Sequence, residues 1–114
     1  MQVNPLQVTV DQVQGCPVVH VRGDMMAVSI DPLRQAIAGA IATKPARLVI
    51  DLTGTTFLSS PGLAVLVQAM QLLQRGGGKL VLAGANDRVR GIFEIARLTE
   101  VFSMVPTLDA AFAG

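Results

Sequence analysis

The sequence predicts an α/β fold: an N-terminal β-hairpin, then alternating helices and strands, forming a mostly parallel central sheet of about five strands with about four helices. Three observations carry this reading. Two early runs, Leu6–Asp11 and Pro17–Arg22, alternate apolar and polar residues with a period of two. From Asp31 onward, segments with helical apolar spacing take turns with short apolar runs of strand type. The joints between these segments are short, as crossover helices on a parallel sheet require.

In the first run Leu6, Val8 and Val10 share one face and Gln7, Thr9 and Asp11 the other. Gln14-Gly15 supplies the turn, Val19 and Val21 of the second run point inward, and Gly23 ends the hairpin. The period then changes at Ser29 or Asp31. Leu33, Ala36, Ile37, Ala40 and Ile41 recur at helical spacing, with Asp31 as N-cap, Pro32 at the first helical position and Lys44-Pro45 as the stop. Arg47–Leu52 reads as a central strand covered on both faces. A helix follows from Pro61 to Arg75, then three glycines and the strand Lys79–Ala83. Asn86 caps a third helix with Val89, Ile92, Phe93 and Ala96 on its buried stripe. Val101–Val105 is a last strand, and Thr107 caps a short terminal helix that turns Leu108, Ala111 and Phe112 inward.

At 114 residues the chain is a single domain, 1–114. Its hydrophobic content of 51% suits a buried core rather than a disordered segment. No apolar run is long enough for a membrane span, and the first residues lack the basic and apolar regions of a secretory signal. The single cysteine, Cys16, cannot form an internal disulfide and fits a reducing, cytoplasmic setting. A net charge of +1 provides no field for nucleic acid, and four Phe without Trp or Tyr provide no base-stacking platform.

Signals for catalysis are weak. His20 is the only histidine and lies on the polar side of an early strand, so it reads as a surface residue. No second His or Cys completes a metal site, nothing points to a cofactor, and the acids are scattered. Arg75-Gly76-Gly77-Gly78-Lys79 follows a helix instead of preceding one, so it is a helix C-cap and not a phosphate loop. Gly84-Ala85-Asn86-Asp87 joins a strand to a helix, but Asp87 would repel an anion, so capping is again the reading. A small enzyme would have to draw on Asp51, Asp24 or His20, which nothing in the sequence places together.

The segment Thr56-Phe57-Leu58-Ser59-Ser60-Pro61-Gly62-Leu63 is more informative. No ionised residue occurs from Phe57 to Gln74. Leu63, Leu66, Val67, Met70 and Leu73 form one apolar stripe, enough to dock the helix on a sheet. Val65, Ala69 and Leu72 form a second, which belongs either to a more deeply buried helix or to a partner-docking face. With Pro61 at the first helical position, Ser60 falls at the N-cap and Ser59 in the loop. The Ser60 hydroxyl then stands where strand C-termini open, at the positive end of a helix. A phosphate there would add about −1.5 to −2 charges beside an uncharged surface.

The segment Leu48–Leu63 resembles the signature of bacterial anti-sigma-factor antagonists, the STAS domain: an apolar strand, Asp-Leu, a short loop, then Phe-hydrophobic-Asp-Ser-(Ser/Thr/Ala)-Gly-Leu. Val21-Arg22-Gly23-Asp24-Met25 resembles the family's Gly-Glu turn. Arg75–Leu82 and Val89–Leu98 resemble its later strand and helix. The resemblance implies that the unmodified protein binds an anti-sigma factor with histidine-kinase-like serine kinase activity. That partner phosphorylates the serine after the motif aspartate, and a metal-dependent serine phosphatase reverses the change. The acceptor position is Ser60, with Ser59 as the fallback. The implied partner-binding set is Asp24, Met26, Thr55, Thr56, Ser59, Ser60, Pro61 and Gly62, joined by Val65 and Leu72 of the second stripe. Two positions depart from the pattern, Ser59 replacing the motif aspartate and Met26 replacing the aspartate that closes the Gly-Glu turn. The competing reading is a STAS-type subunit of a larger assembly, transporter-associated or scaffold, in which Ser60 only caps a helix.

Overall fold

The computed structural model describes residues 5–26 and 30–112. The hairpin forms as its alternation predicts, with strand β1 at Gln7–Val13 and β2 at Cys16–Met25. Gln14 and Gly15 both have positive φ, 52° and 77°. That is the two-residue turn whose twist matches the flanking strands. Helix α1 spans Asp31–Ala42, strand β3 Arg47–Leu58, helix α2 Ser60–Arg75, strand β4 Lys79–Ala83, helix α3 Asp87–Ile95 and strand β5 Ser103–Val105. A short 3₁₀ helix at Asp109–Phe112 ends the described chain, with Thr107 Oγ1 accepting from Ala110 N–H at 3.1 Å. The expected helices are therefore three α-helices and one 3₁₀ turn. Ser29, the earlier of the two expected starts for α1, lies outside the described residues.

The sheet order is β1-β2-β3-β4-β5, antiparallel between β1 and β2 and parallel thereafter. Side chains from α1, α2 and α3 pack on one face with Val19, Val21, Leu48, Ile50, Leu52, Leu80 and Leu82. Phe93 of α3 meets Phe102 edge-on, with ring centroids 5.4 Å apart. The other face is closed over Val18, Val49, Val81 and Ala83 by the terminal 3₁₀ turn. Farther along β2 and β3, that same face carries His20, Arg22, Asp51 and Thr53 beside a depression of about 480 Å³.

Several boundaries differ from the sequence reading. β2 continues past Gly23 to Met25, and β3 continues past Leu52 to Leu58. The extension pairs with β2 alone, because the β3–β4 ladder ends at Asp51 and Ala83. Thr53, Thr55 and Thr56 suit a strand because they are β-branched, although their polarity suggests a loop. The ladder absorbs register shifts between His20 and Arg22 and between Gly23 and Asp24. β5 begins at Ser103, two residues later than expected.

In both proline-marked helices the cap lies one residue earlier than expected, and the proline is the second helical residue instead of the first. α1 has Ile30 as N-cap and no side-chain cap, since Asp31 is its first helical residue and accepts from Arg34 Nη1 at 3.0 Å. α2 has Ser59 as N-cap, so Ser60 and Pro61 are the first two helical residues. Proline is tolerated at either position because no first-turn N–H has an intrahelical partner. The C-cap reading of the glycine run holds. Gly78 N–H donates to Leu73 O at 2.8 Å and Gly77 N–H to Gln74 O at 3.1 Å, with Gly77 at φ 80°. This pair of bonds is the Schellman closure. Asn86 caps α3 as expected, accepting from Val89 N–H at 2.9 Å.

Gly62 fixes how closely α2 approaches the sheet. A Cβ there would lie 2.9 Å from both Leu58 Cδ1 and Met25 Cβ. Gly62→Ala is expected to destabilise the fold by about 1–3 kcal/mol from this overlap, against a helix-propensity gain of about 1 kcal/mol. Gly39→Ala in α1, where an added Cβ meets nothing within 4 Å, should instead stabilise by about 0.5–1 kcal/mol. Urea unfolding midpoints of the two variants should move in opposite directions.

Candidate functional site

The carboxyl ends of β2 and β3 bring most of the sequence-selected residues to one rim, the usual ligand side of a parallel sheet. Asp24, at the end of β2, accepts from Thr56 Oγ1 at 2.5 Å across to β3. Met26 follows, half-buried, its N–H donating to Asp24 O at 3.1 Å. The strand-to-helix turn then presents the two serines.

Their environments are opposite. Ser59 N–H donates to Met25 O at 3.0 Å, and Ser59 Oγ donates to the same carbonyl at 2.5 Å. Ser59 Oγ in turn accepts from Gly62 N–H at 3.4 Å, a long cap. Ser59, not Ser60, is therefore the capping residue, and its hydroxyl is engaged as both donor and acceptor. Ser60 is exposed at the first helical position. Pro61 beside it is exposed as well, as are Ala64 and Gln68 one and two turns on. Phe57 at the end of β3 is 38% exposed, so the exposed residues flanking Ser60 in sequence are apolar or uncharged, with half-buried Asp24 the acid on the same rim.

Three of the sequence-selected contact residues serve the interior instead. Thr55 is 1% exposed and donates its hydroxyl to Val21 O at 3.0 Å. Gly62 is buried against Met25 and Leu58. Val65 is 4% exposed, and Ala69 is buried with it in the main core. The second apolar stripe of α2 thus largely faces inward, because the helix packs against α1 as well as the sheet. Leu72 alone of that stripe is exposed, at 50%. It lies about 18 Å along the helix axis from Ser60 at 1.5 Å per residue, so it belongs to a different part of the surface.

One constellation escapes sequence reading. His20 is not a free surface residue: its Nδ1 lies 2.6 Å from Asp51 Oδ2, and its Nε2 lies 4.0 Å from Asp11 Oδ2. The other Asp51 oxygen, Oδ1, accepts from Thr53 Oγ1 at 2.6 Å and Thr53 N–H at 3.0 Å. The signal that could have found this pair is the β2–β3 register, which sets His20 opposite Asp51. Burial works to raise the Asp51 carboxyl, but the Thr53 hydroxyl, His20 and the Thr53 N–H outweigh it and hold the group below its ordinary value of 3.8. The cluster braces three adjacent strands. Among the described residues, no group of three His, Cys, Asp or Glu side chains could hold a metal ion.

A five-stranded mixed sheet, three helices on one face and a hydroxyl-bearing helix start at the strand C-termini define the architectural class. A family model described as the STAS domain matches residues 7–111, and the chain belongs to that family. BtrV of Bordetella bronchiseptica, whose name proposes an anti-sigma factor antagonist, is 27% identical over 108 residues, covering 95% of this chain and 93% of that protein. The anti-sigma-B factor antagonist of Listeria monocytogenes is 30% identical over 86 residues, 75% of each chain. The crystal structure of an anti-sigma factor antagonist from Mycobacterium paratuberculosis is similar with a TM-score of 0.87 and 32% identity, covering 94% of this chain and 91% of that one. Among the described residues, no helix is long and apolar enough to cross a membrane.

Two outcomes follow from the site geometry. Ser59→Ala removes both the cap and the tether to Met25 and should cost about 1–2 kcal/mol in urea unfolding. For Asp51, the native carboxyl holds its proton more weakly than the unfolded one, so protonation favours unfolding. Its contribution is complete above the unfolded value of 3.8 and is lost as pH falls through the lower native value. Asp51→Asn should be less stable than wild type at neutral pH, with the difference shrinking below about pH 4. Unfolding free energies measured from pH 7 down to pH 3 would check this.

Proposed function

We propose that this chain is an anti-sigma-factor antagonist whose binding to its partner is gated by phosphorylation of Ser60. One observation carries the reading: Ser60 is exposed at the start of α2, a helix with no ionised residue before Arg75, while the Ser59 hydroxyl is bound on both sides. The partner is an anti-sigma factor with histidine-kinase-like serine kinase activity, and a metal-dependent serine phosphatase resets the protein. The names of the relatives support the antagonist role. The exposure of Ser60 supports the choice of acceptor.

In the transfer, Ser60 Oγ attacks the γ-phosphorus of ATP held by the kinase. The hydroxyl proton passes to a kinase base, the bond to the β-phosphate oxygen breaks and ADP leaves. The new dianion sits at the positive end of α2, which the fold tolerates. The helix grips it only weakly, since Pro61 has no N–H and Gly62 N–H points to Ser59 Oγ. The charge therefore stays at the surface, where a docked partner must desolvate or repel it. A loss of about 3 kcal/mol there weakens binding roughly a hundredfold. Asp24, positioned by Thr56, and exposed Phe57 and Pro61 complete the contact surface.

The test pairs mass spectrometry with binding. Incubation with the anti-sigma kinase of the same genome and ATP should place one phosphate on Ser60, and Ser59→Ala should leave that labelling in place. Ser60→Asp should remain folded and bind the anti-sigma factor roughly a hundredfold more weakly. Labelling of Ser59, or wild-type affinity in Ser60→Asp, would overturn the proposal.

A further inference from the structure

At the far end of α2 from Ser60, the C-terminal ends of α1 and α2 border a groove of about 360 Å³. Ile41, Pro45, Leu72 and Leu73 supply apolar lining, Lys44 contributes the only charge among the lining residues, and Gly76 completes the wall. Leu72 is half exposed, although the neighbouring exposed positions Gln68, Gln71 and Gln74 are all polar. Arg75 follows Leu72 by three residues and so lies on the same side of the helix. Neither Lys44 nor Arg75 has an ion-pair partner among the described residues, whose ion pairs involve His20, Arg34 and Arg90.

We propose that this groove is a second docking site and that its occupant is an acidic amphipathic helix of a partner protein, with aliphatic residues seated beside Leu72 and carboxylates facing Lys44 and Arg75. The sign of the field decides the chemistry. Each helix C-terminus contributes about half a negative charge, so two ends cancel about one of the two cations and leave the rim positive. The last carbonyls are also covered locally. Thr43 Oγ1 donates to Ala40 O at 2.7 Å, Lys44 N–H to Ile41 O at 2.9 Å, and the glycine N–H groups close α2. Lys44 has φ 53°, in the left-handed turn that follows α1 at the rim. Ile41 and Pro45 on one side and Leu72 on the other give an aliphatic residue of the occupant apolar contacts from both walls, the kind of anchor a helix laid in a groove uses. Opposite charge on the occupant raises its association rate and disfavours basic competitors. The site is independent of the Ser60 reading.

The test uses two helical probe peptides with Leu at i and i+4, one flanked by Glu and the other by Lys, titrated into the isotope-labelled full chain and followed by amide chemical shifts. The Glu peptide should shift Ile41, Lys44, Leu72 and Gly76, and its affinity should fall with added salt. Leu72→Gln should weaken binding about tenfold. Lys44→Glu should reverse the preference between peptides, and Ser60→Asp should leave binding unchanged. Equal binding of both peptides, shifts confined to other residues, or no shifts with either would overturn the proposal. Self-association of the chain that Leu72→Gln abolishes would assign the groove to a second copy and overturn it likewise.

Discussion

The backbone carbonyl of Met25 accepts both the N–H and the hydroxyl of Ser59, and this double bond fixes where β3 stops and α2 begins. Beyond the last β4 pair, β2 and β3 pair only with each other, up to Met25 and Leu58. With Ser59 held in an extended conformation at ψ 168°, the next residue enters the helix, and Gly62 lets the first turn settle on Met25 and Leu58. The exposure of Ser60 follows from that register. Starting the helix one residue later would rotate each side chain by about 100° around the axis. The Gly62 position would then face away from Met25, and a residue with a Cβ would take its place in the close contact.

The same geometry gives a physical account of the departure at position 59. Aspartate and serine are comparable N-caps. Only serine also has a hydroxyl proton to donate, and Ser59 directs it to Met25 O. A carboxylate at that position would face the Met25 carbonyl oxygen without a proton between them. The serine therefore exchanges a negative charge at the rim for a tether between the end of β2 and the start of α2. Asp24 remains as an acid on this rim, held in place by Thr56.

What the sequence made legible was local. The hairpin turn, the Asn86 cap and the glycine closure of α2 each depend on residues within about five positions of one another, and their chemistry is specific. The misplaced cap at Ser60 arose because proline suits either of the first two helical positions. The shortened β3 arose because threonines serve strands and loops alike. Two features needed the tertiary arrangement. The His20–Asp51 pair spans 31 positions and forms only in one β2–β3 register. The burial of Val65 and Ala69 depends on α1 lying beside α2, which amphipathic spacing in α2 alone cannot specify.

α2 connects two ends of the surface without coupling them. Its inner side is packed along its length, from Gly62 through Val65, Leu66, Ala69 and Met70 to Leu73, so bending it would open the core. Charge does not carry between the ends either. The separation of about 18 Å from Ser60 to Leu72 is roughly twice the Debye length of about 8 Å at physiological ionic strength. A dianion on Ser60 would act on whatever touches Phe57, Pro61 and Ala64, and would be screened at Lys44 and Arg75. The absence of ionised residues from Phe57 to Gln74 would give that local action its contrast, since a charge added to a helix face that carries none changes its character more than the same charge among many. On the two proposals made above, a contact at the basic end of α2 would persist while one at the serine end formed and dissolved.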